Sequence, residues 1–405
     1  MTFRQAEDYL LGLELFGMRF GLDRMHKLMT VLGLPQRRFA SIHVVGTNGK
    51  SSTVRLTAAI LARHGLRVGS YTSPHLASFR ERIEVGEEPV SEAHFAAAVA
   101  RAAHAAGLVN RTLDADDGVT QFEALTAAAY HELGRRSVEV AVIEAGLGGR
   151  YDATNVIPSR VQVLTNVGLE HTRWLGPTIH DIAEEKLAVV RDGGALVTGE
   201  LDPEARGVAE RVADERHARL VEARADGGFQ RRNFALAAAA AAVFLGRSLD
   251  ARALERAAAE TRIPGRLEVV AHRPLTVFDG AHNPSGAAAL AEALPELLDE
   301  RRPRVGVISV LEDKDAAGML AKLLPTLDRV LLTRCANPRA LSPATLESLA
   351  HQLGRPETER VADPHEALEH ARSLAGPDGA VLVTGSIYLI ADLVRNRAEA
   401  RASTL

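Results

Sequence analysis

Two rhythms of apolar and polar positions alternate along this chain, and their order predicts its architecture. Short apolar, often β-branched runs recur at Ile42–Val45, Leu66–Tyr71, Val138–Ile143, Val161–Thr165, Ala195–Val197, Leu275–Phe278, Arg304–Val310, Val330–Thr333 and Ala380–Thr384. They are too short for helices and read as strands buried on both faces. A shorter run, Arg82–Val85, predicts one more strand. Helical spacing fills the intervals at Phe3–Phe16, Leu22–Leu32, Val54–His64, 91–106, 121–133, Ile179–Val190, Arg232–Phe244, Pro284–Leu298, 316–325, 343–352, 364–374 and 387–398. Strands alternating with helices specify parallel sheets covered on both faces. The rhythm pauses at Ile263-Pro264-Gly265-Arg266, which reads as a hinge. The expectation is an α/β protein of two domains, 1–263 around a parallel sheet and a smaller Rossmann-like 264–405.

Composition narrows the class. Apolar residues at 46% and charged ones at 25% of 405 residues describe a globular chain. A net charge of −4 with mixed signs gives no basic surface for nucleic acid. The single cysteine, Cys335, excludes a disulfide framework and a cysteine-rich metal site. No apolar run reaches the roughly 18 residues of a membrane span, and the N-terminus lacks a basic segment followed by an apolar core. A cytoplasmic protein is expected. Of 48 basic residues only Lys27, Lys50, Lys186, Lys314 and Lys322 are lysine. A lysine kept against that bias supplies a point charge or a titratable amine that arginine does not. Lys50, Lys186 and Lys314 fall inside motif-like stretches; Lys27 and Lys322 read as solvated.

The richest stretch is Ile42–Thr53, IHVVGTNGKSST. A buried strand runs into a glycine-bearing turn and then a helix N-terminus, an arrangement that cradles anions. Thr47, Asn48 and Gly49 would present backbone to a phosphate, and Lys50 would reach its outer oxygens. A hydroxyl at Ser51 or Ser52 can face Mg²⁺. The loop is a shortened GxxGK[ST], with Val44 where the longer pattern has its first glycine. Other polar groups collect just past buried strands: Ser73, Glu144 and His171. In a parallel sheet these ends share one rim, and hydroxyl, carboxylate and imidazole beside a nucleotide phosphate suit Mg²⁺. Glu144 opens EAGLGGRYDATN, where glycines permit close backbone approach. Phe278-Asp279-Gly280-Ala281-His282-Asn283-Pro284 places Asp279 and His282 at a second strand-to-helix junction, suited to a ribose contact.

These residues resemble the folylpolyglutamate synthase/dihydrofolate synthase family, within the Mur-type amide ligases. GTNGK, YTSPHL, FRERI, EAGLGGRYDATNV, LEHTRWLGPTI, EEK, PGRLE, FDGAHNP, EDKD and VTGS follow the family's order across nearly the whole chain. The resemblance implies an N-terminal phosphate-loop ATPase domain and a C-terminal glutamate-ligase domain. It implies Mg²⁺ on Ser73, Glu144 and His171, and nucleotide contacts from Asn233, Arg266 and Asp279. It also implies pterin-binding segments at Gly21, Leu22, Asp23 and Arg24, at Thr120, Gln121, Phe122 and Glu123, and at Tyr151, Asp152 and Ala153. Lys186 would carry a carbamate. Two departures stand out. The family usually has Gly-Lys-Gly-Ser/Thr where this chain has Gly49-Lys50-Ser51-Ser52, which leaves open which serine faces Mg²⁺. It usually has Lys-Ala-Gly-Ile where this chain has Lys186-Leu-Ala-Val.

The resemblance implies ATP-dependent amide formation between L-glutamate and dihydropteroate, reduced folates, or both, through an acyl phosphate. His282 and Lys314 would meet the glutamate carboxylates, and a monomer is expected. Two other readings compete. A cell-wall amino-acid ligase needs a nucleotide-sugar domain before the loop, where about forty residues stand. A phosphate-loop switch protein has no need of DGAHNP or a second α/β domain.

Overall fold

β-Branched runs flanked by glycine and proline form the strands of two separate sheets. The computed structural model describes residues 1–14, 21–114, 117–354 and 357–395. Its contacts cluster into two units, Met1–Thr261 and Arg262–Thr404.

In the first unit, helices α1 (Phe3–Leu11) and α2 (Asp23–Val31) lead into β1 (Ala40–Val45), α3 (Lys50–Arg63) and β2 (Val68–Tyr71). Next come β3 (Ile83–Val85), β4 (Glu88–Pro89), α4 (Glu92–Asn110), α5 (Gln121–Arg135), β5 (Val140–Glu144) and β6 (Val161–Leu164). A short α6 (Thr172–Leu175) precedes α7 (Ile179–Leu187), β7 (Ala195–Thr198), α8 (Pro203–Glu215), β8 (Arg219–Glu222), α9 (Phe229–Leu245) and α10 (Ala251–Glu260). The sheet order is β4-β3-β2-β5-β1-β6-β7-β8. It is parallel except that β3 pairs antiparallel with both β2 and β4, so the expected all-parallel sheet carries an antiparallel edge. One face of the sheet, which carries Ile143, Val45 and Leu164, holds both the cluster of Leu28, Phe95, Leu125 and Tyr130 and the cluster of Leu187, Leu196 and Val208. The buried Ile42, Val44, Val142 and Val163 point to the opposite face. The helix expected over Phe3–Phe16 stops at Leu11, where Gly12 caps it; residues 15–16 lie outside the described residues.

The second unit comprises β9 (Glu268–His272), β10 (Leu275–Phe278), α11 (Pro284–Leu298), β11 (Arg304–Ile308), α12 (Ala316–Leu323) and β12 (Arg329–Leu332). It continues with α13 (Pro343–Gln352), β13 (Glu357–Arg360), α14 (Pro364–Ala375), β14 (Ala380–Thr384) and α15 (Ile387–Val394). The last helix was expected through 398; residues 396–398 lie outside the described residues. Its sheet, β13-β12-β11-β14-β10-β9, is parallel apart from antiparallel β9. Val277, Leu290, Ile308, Leu320 and Leu332 belong to its own core. Asn283 caps α11 by accepting from Gly286 N at 2.8 Å, with Pro284 fixing the first turn. No described helix is long and apolar enough to cross a membrane.

Candidate active site

Register gathers the site. β1 lies between β5 and β6, pairing Val44 with Glu144 and Val45 with Leu164. The loop leaving β1 is therefore flanked by Glu144 on one side and by Thr165–Gly168 on the other. β2 runs beside β5, with Tyr71 opposite Ile143, so Ser73 arrives next to Glu144. Ser73 N donates to Glu144 Oε2 at 3.1 Å, and Ser51 Oγ donates to Oε1 at 2.9 Å.

The loop itself is stitched to the segment after β6. Thr47 N donates to Asn166 O at 3.0 Å, and Gly168 N donates to Thr47 Oγ1 at 3.0 Å. Asn48 N donates to Asn166 Oδ1 at 2.9 Å, while Thr165 Oγ1 and Asn166 Nδ2 donate to Asn48 O at 2.6 and 3.1 Å. Gly46 has φ 150°, and a Cβ there would run into the Thr165 hydroxyl. Gly49, at φ 80°, is the N-cap of α3 and brings no side chain to its first amides. A Cβ at Gly49 would stand 2.5 Å from Asn233 Oδ1, so Asn233 is placed against the loop. Ser52 is buried in the first turn of α3.

Two lysines meet on one carbonyl. Lys50 Nζ donates to Gly46 O and Thr47 O, both at 3.1 Å, and the buried Lys186 Nζ donates to Gly46 O at 2.8 Å. Burial, then the Lys50 charge, push the Lys186 amine down from 10.5 to about 7. Glu170 and Asp152 act weakly in the opposite direction. His171 opens α6 at φ 53°, with Nε2 3.8 Å from Glu170 Oε1.

The three expected pterin segments converge as well. Arg24, next to Gly21, Leu22 and Asp23, donates through Nε to Glu123 Oε1 at 3.0 Å and through Nη1 to Asp117 Oδ1 at 3.1 Å. Thr120 and Glu123 form the capping box of α5, and Gln121 Nε2 donates to Leu10 O at 2.8 Å. These side chains therefore already hold structure together. Phe122 packs so closely on Gly146 that a Cβ there would meet its ring at 2.7 Å, with Asp152 Oδ2 at 3.2 Å. Asp152 accepts from Leu147 N at 2.9 Å, also binds Thr154, and is raised above the usual carboxylate range by burial. His43 Nε2 shares a 2.8 Å bond with the Thr154 hydroxyl. Tyr151 is exposed and Ala153 buried.

In the second unit Asp279 is buried and clasps two backbone stretches. Leu267 N donates to Oδ2 and Ala281 N to Oδ1, each at 2.9 Å. Burial raises its pKa against the opposing pull of Arg266. Arg266 Nη1 donates to Gly280 O at 3.0 Å, and the same carbonyl lies 2.9 Å from His282 Nδ1. Lys314 follows β11 beside Asp313, 3.9 Å away.

Among the described residues no three His, Cys, Asp or Glu side chains form a metal-binding group. The donors gathered at the loop are a carboxylate and serine oxygens. That hard-oxygen set fits Mg²⁺, which leaves most of its shell to water and phosphate.

Residues 265–387 match the family model described as Mur ligase, glutamate ligase domain. A dihydrofolate synthase/folylpolyglutamate synthase of Mycobacterium tuberculosis is 36% identical, covering 90% of this chain and 88% of that protein. The chain belongs to the folylpolyglutamate synthase/dihydrofolate synthase family. It is accordingly an ATP-dependent ligase. The M. tuberculosis folylpolyglutamate synthase complexed with ADP and AMPPCP superposes with a TM-score of 0.89 at 33% identity, covering 97% of this chain and 98% of that one. E. coli FolC in complex with DHPP and ADP gives 0.86 at 29%, covering 97% of each chain.

The family motifs did not single out Thr165, Asn166 and Gly168, which grip the phosphate loop. Their only signal was an Asn-x-Gly just past a buried strand. Asp117, the second partner of Arg24, carried no signal in the sequence.

Proposed function

We propose that this chain joins the amine of L-glutamate to the carboxylate of dihydropteroate and of reduced folates, acting in the cytoplasm as a single chain. The observation that supports this best is the meeting of Lys50, Lys186, Ser51, Ser73 and Glu144 around one glycine loop at three parallel strand ends. Thr47, Asn48, Gly49, Lys50, Ser51 and Ser52 cradle the ATP phosphates, with Asn233 beside them. Arg266 and Asp279 are the second unit's own candidates for nucleotide contact. Ser73, Glu144 and His171 hold Mg²⁺, which when bound neutralises charge on the transferring phosphoryl group. Segments 21–24, 120–123 and 151–153 hold the pterin, and His282 and Lys314 the glutamate carboxylates.

The pteroate carboxylate oxygen attacks the γ-phosphorus, the bond to ADP breaks, and an acyl phosphate results. Lys50 leaves the Gly46 and Thr47 carbonyls for the phosphoryl oxygens, so the protein contributes positioning and charge. The glutamate nitrogen then attacks the acyl carbon, losing a proton as phosphate departs. Lys186, as a carbamate, adds a negative group behind the loop.

The test is ADP release with each substrate omitted in turn. Release should require both glutamate and dihydropteroate or tetrahydrofolate, and Lys50→Ala should lower kcat/KM by about 10²-fold or more. Undiminished release without glutamate refutes the ligase reaction. No turnover of dihydropteroate, with tetrahydrofolate accepted, removes the synthase half.

A further inference from the structure

His43 lies in β1, just before the phosphate loop, and is fully buried. Its Nε2 shares a 2.8 Å bond with Thr154 Oγ1, and its Nδ1 has no hydrogen-bond partner among the described residues. Burial, then the Arg191 charge, lower its pKa to about 3, so the ring is neutral and carries one proton. Thr154, itself fully buried, has one hydroxyl proton to give. That proton goes to Asp152 Oδ1, which also accepts from Thr154 N at 3.0 Å. Thr154 Oγ1 then faces His43 with a lone pair, so the ring proton must sit on Nε2. The reverse order would leave a buried N–H at Nδ1 with nothing to bind and aim a hydroxyl lone pair at the carboxylate. The chain therefore has one direction: His43 donates to Thr154, and Thr154 donates to Asp152. Asp152 Oδ2 accepts from Leu147 N at 2.9 Å, so this carboxylate ties together both sides of the run EAGLGGRYDATN. A Cβ on Gly146 would lie 2.7 Å from the Phe122 ring and 3.2 Å from Asp152 Oδ2, so an aromatic ring and a carboxylate adjoin there. That pairing suits a flat ligand whose edge carries N–H donors, as a pterin's does.

We propose that His43 is a positioning residue for the pterin, which through Thr154 holds Asp152 as an ionised, fixed acceptor for the pterin's amino edge. The proposal rests on the reading of 120–123 and 151–153 as the pterin pocket. The hydrogen bond of His43 leads to Asp152 and not to the loop at Gly46–Ser51, so its loss should fall on pterin affinity rather than on ATP.

The test measures KM for dihydropteroate, tetrahydrofolate and ATP on the full-length protein, and dihydropteroate binding by calorimetry with ADP present. His43→Leu should raise both pterin KM values and weaken dihydropteroate binding about 5- to 10-fold, on the order of one hydrogen bond, with the KM for ATP unchanged. His43→Gln, whose amide N–H can reach the place of Nε2, should restore most of the affinity, and Thr154→Val should lose at least as much as His43→Leu. On the wild-type protein, ¹⁵N-histidine NMR, with His43→Gln identifying the signal, should show the His43 ring neutral and protonated at Nε2. A ring protonated at Nδ1, or losses shared equally by ATP and pterin, overturns the proposal; the NMR result decides even where His43→Leu does not fold. Asp152→Asn separates the proposal from the reading beneath it. Pterin KM raised in Asp152→Asn but not in His43→Leu overturns the role of His43 alone, whereas pterin KM unchanged in both overturns the pocket as well.

Discussion

Lys186 is 4% exposed, and its ammonium sits 2.8 Å from Gly46 O with Lys50 on the same carbonyl. Lost hydration and the neighbouring charge bring its pKa to about 7, so a large share is neutral amine at neutral pH. A neutral amine adds CO₂: the N–C bond forms, a proton leaves, and the nitrogen keeps one hydrogen for Gly46 O. The charge beside Lys50 then turns from repulsive to attractive. At a fixed CO₂ pressure, the carbamate fraction should rise as pH passes through about 7. Labelled ¹³CO₂ and NMR, with Lys186→Arg as the blank, would measure this. A rise deferred to the ordinary lysine range would contradict it. Stability shifts in the same direction. The folded pKa lies below the unfolded one, so between about 7 and 10.5 the unfolded chain binds more protons. This group's contribution therefore becomes more favourable as pH rises across that window.

At the scale of elements, the sequence displayed whatever depends on neighbours along the chain. β1, the turn and α3 were legible because a buried run, glycines and a helix opening follow one another within about a dozen residues. Glu144 and Ser73 were legible as strand-end polar groups. β8, β9 and β13 were not, because each is an exposed edge strand without an apolar run. α8 and α10 bury alanines and valines between charged residues, which leaves a weak stripe. The grip of Thr165 and Asn166 on Asn48 spans more than a hundred residues and exists only through the β1–β6 register. That grip yields a prediction. Thr165→Val keeps the shape but leaves Asn48 O without its 2.6 Å donor. ADP affinity should fall about 5- to 10-fold, on the order of one neutral hydrogen bond, with strand and helix content unchanged. Isothermal titration and circular dichroism would check it, and unaltered affinity would show that the loop does not need this anchor.

The whole molecule is two folding problems joined at residues 261–262. One unit buries its apolar residues on both faces of an eight-stranded sheet, the other on a six-stranded sheet, and the clusters containing Leu125 and Leu320 lie in different units. Units with separate cores open as separate cooperative blocks. Leu320 is fully buried among residues of α11, α12 and neighbouring strands of the second unit. Leu320→Ala should cost that unit about 2–5 kcal/mol through lost transfer and the cavity left behind. In a unit of that size this lowers its melting transition by roughly 5–20 °C. The first unit's transition should stay where it is, because none of its core contacts has changed. Calorimetry resolves the two transitions, and hydrogen exchange assigns them: β11 and β14 amides should lose protection while β1 and β5 amides keep theirs. If both sheets lost protection together, the chain would be one cooperative block, and the separation of its cores would carry no thermodynamic weight.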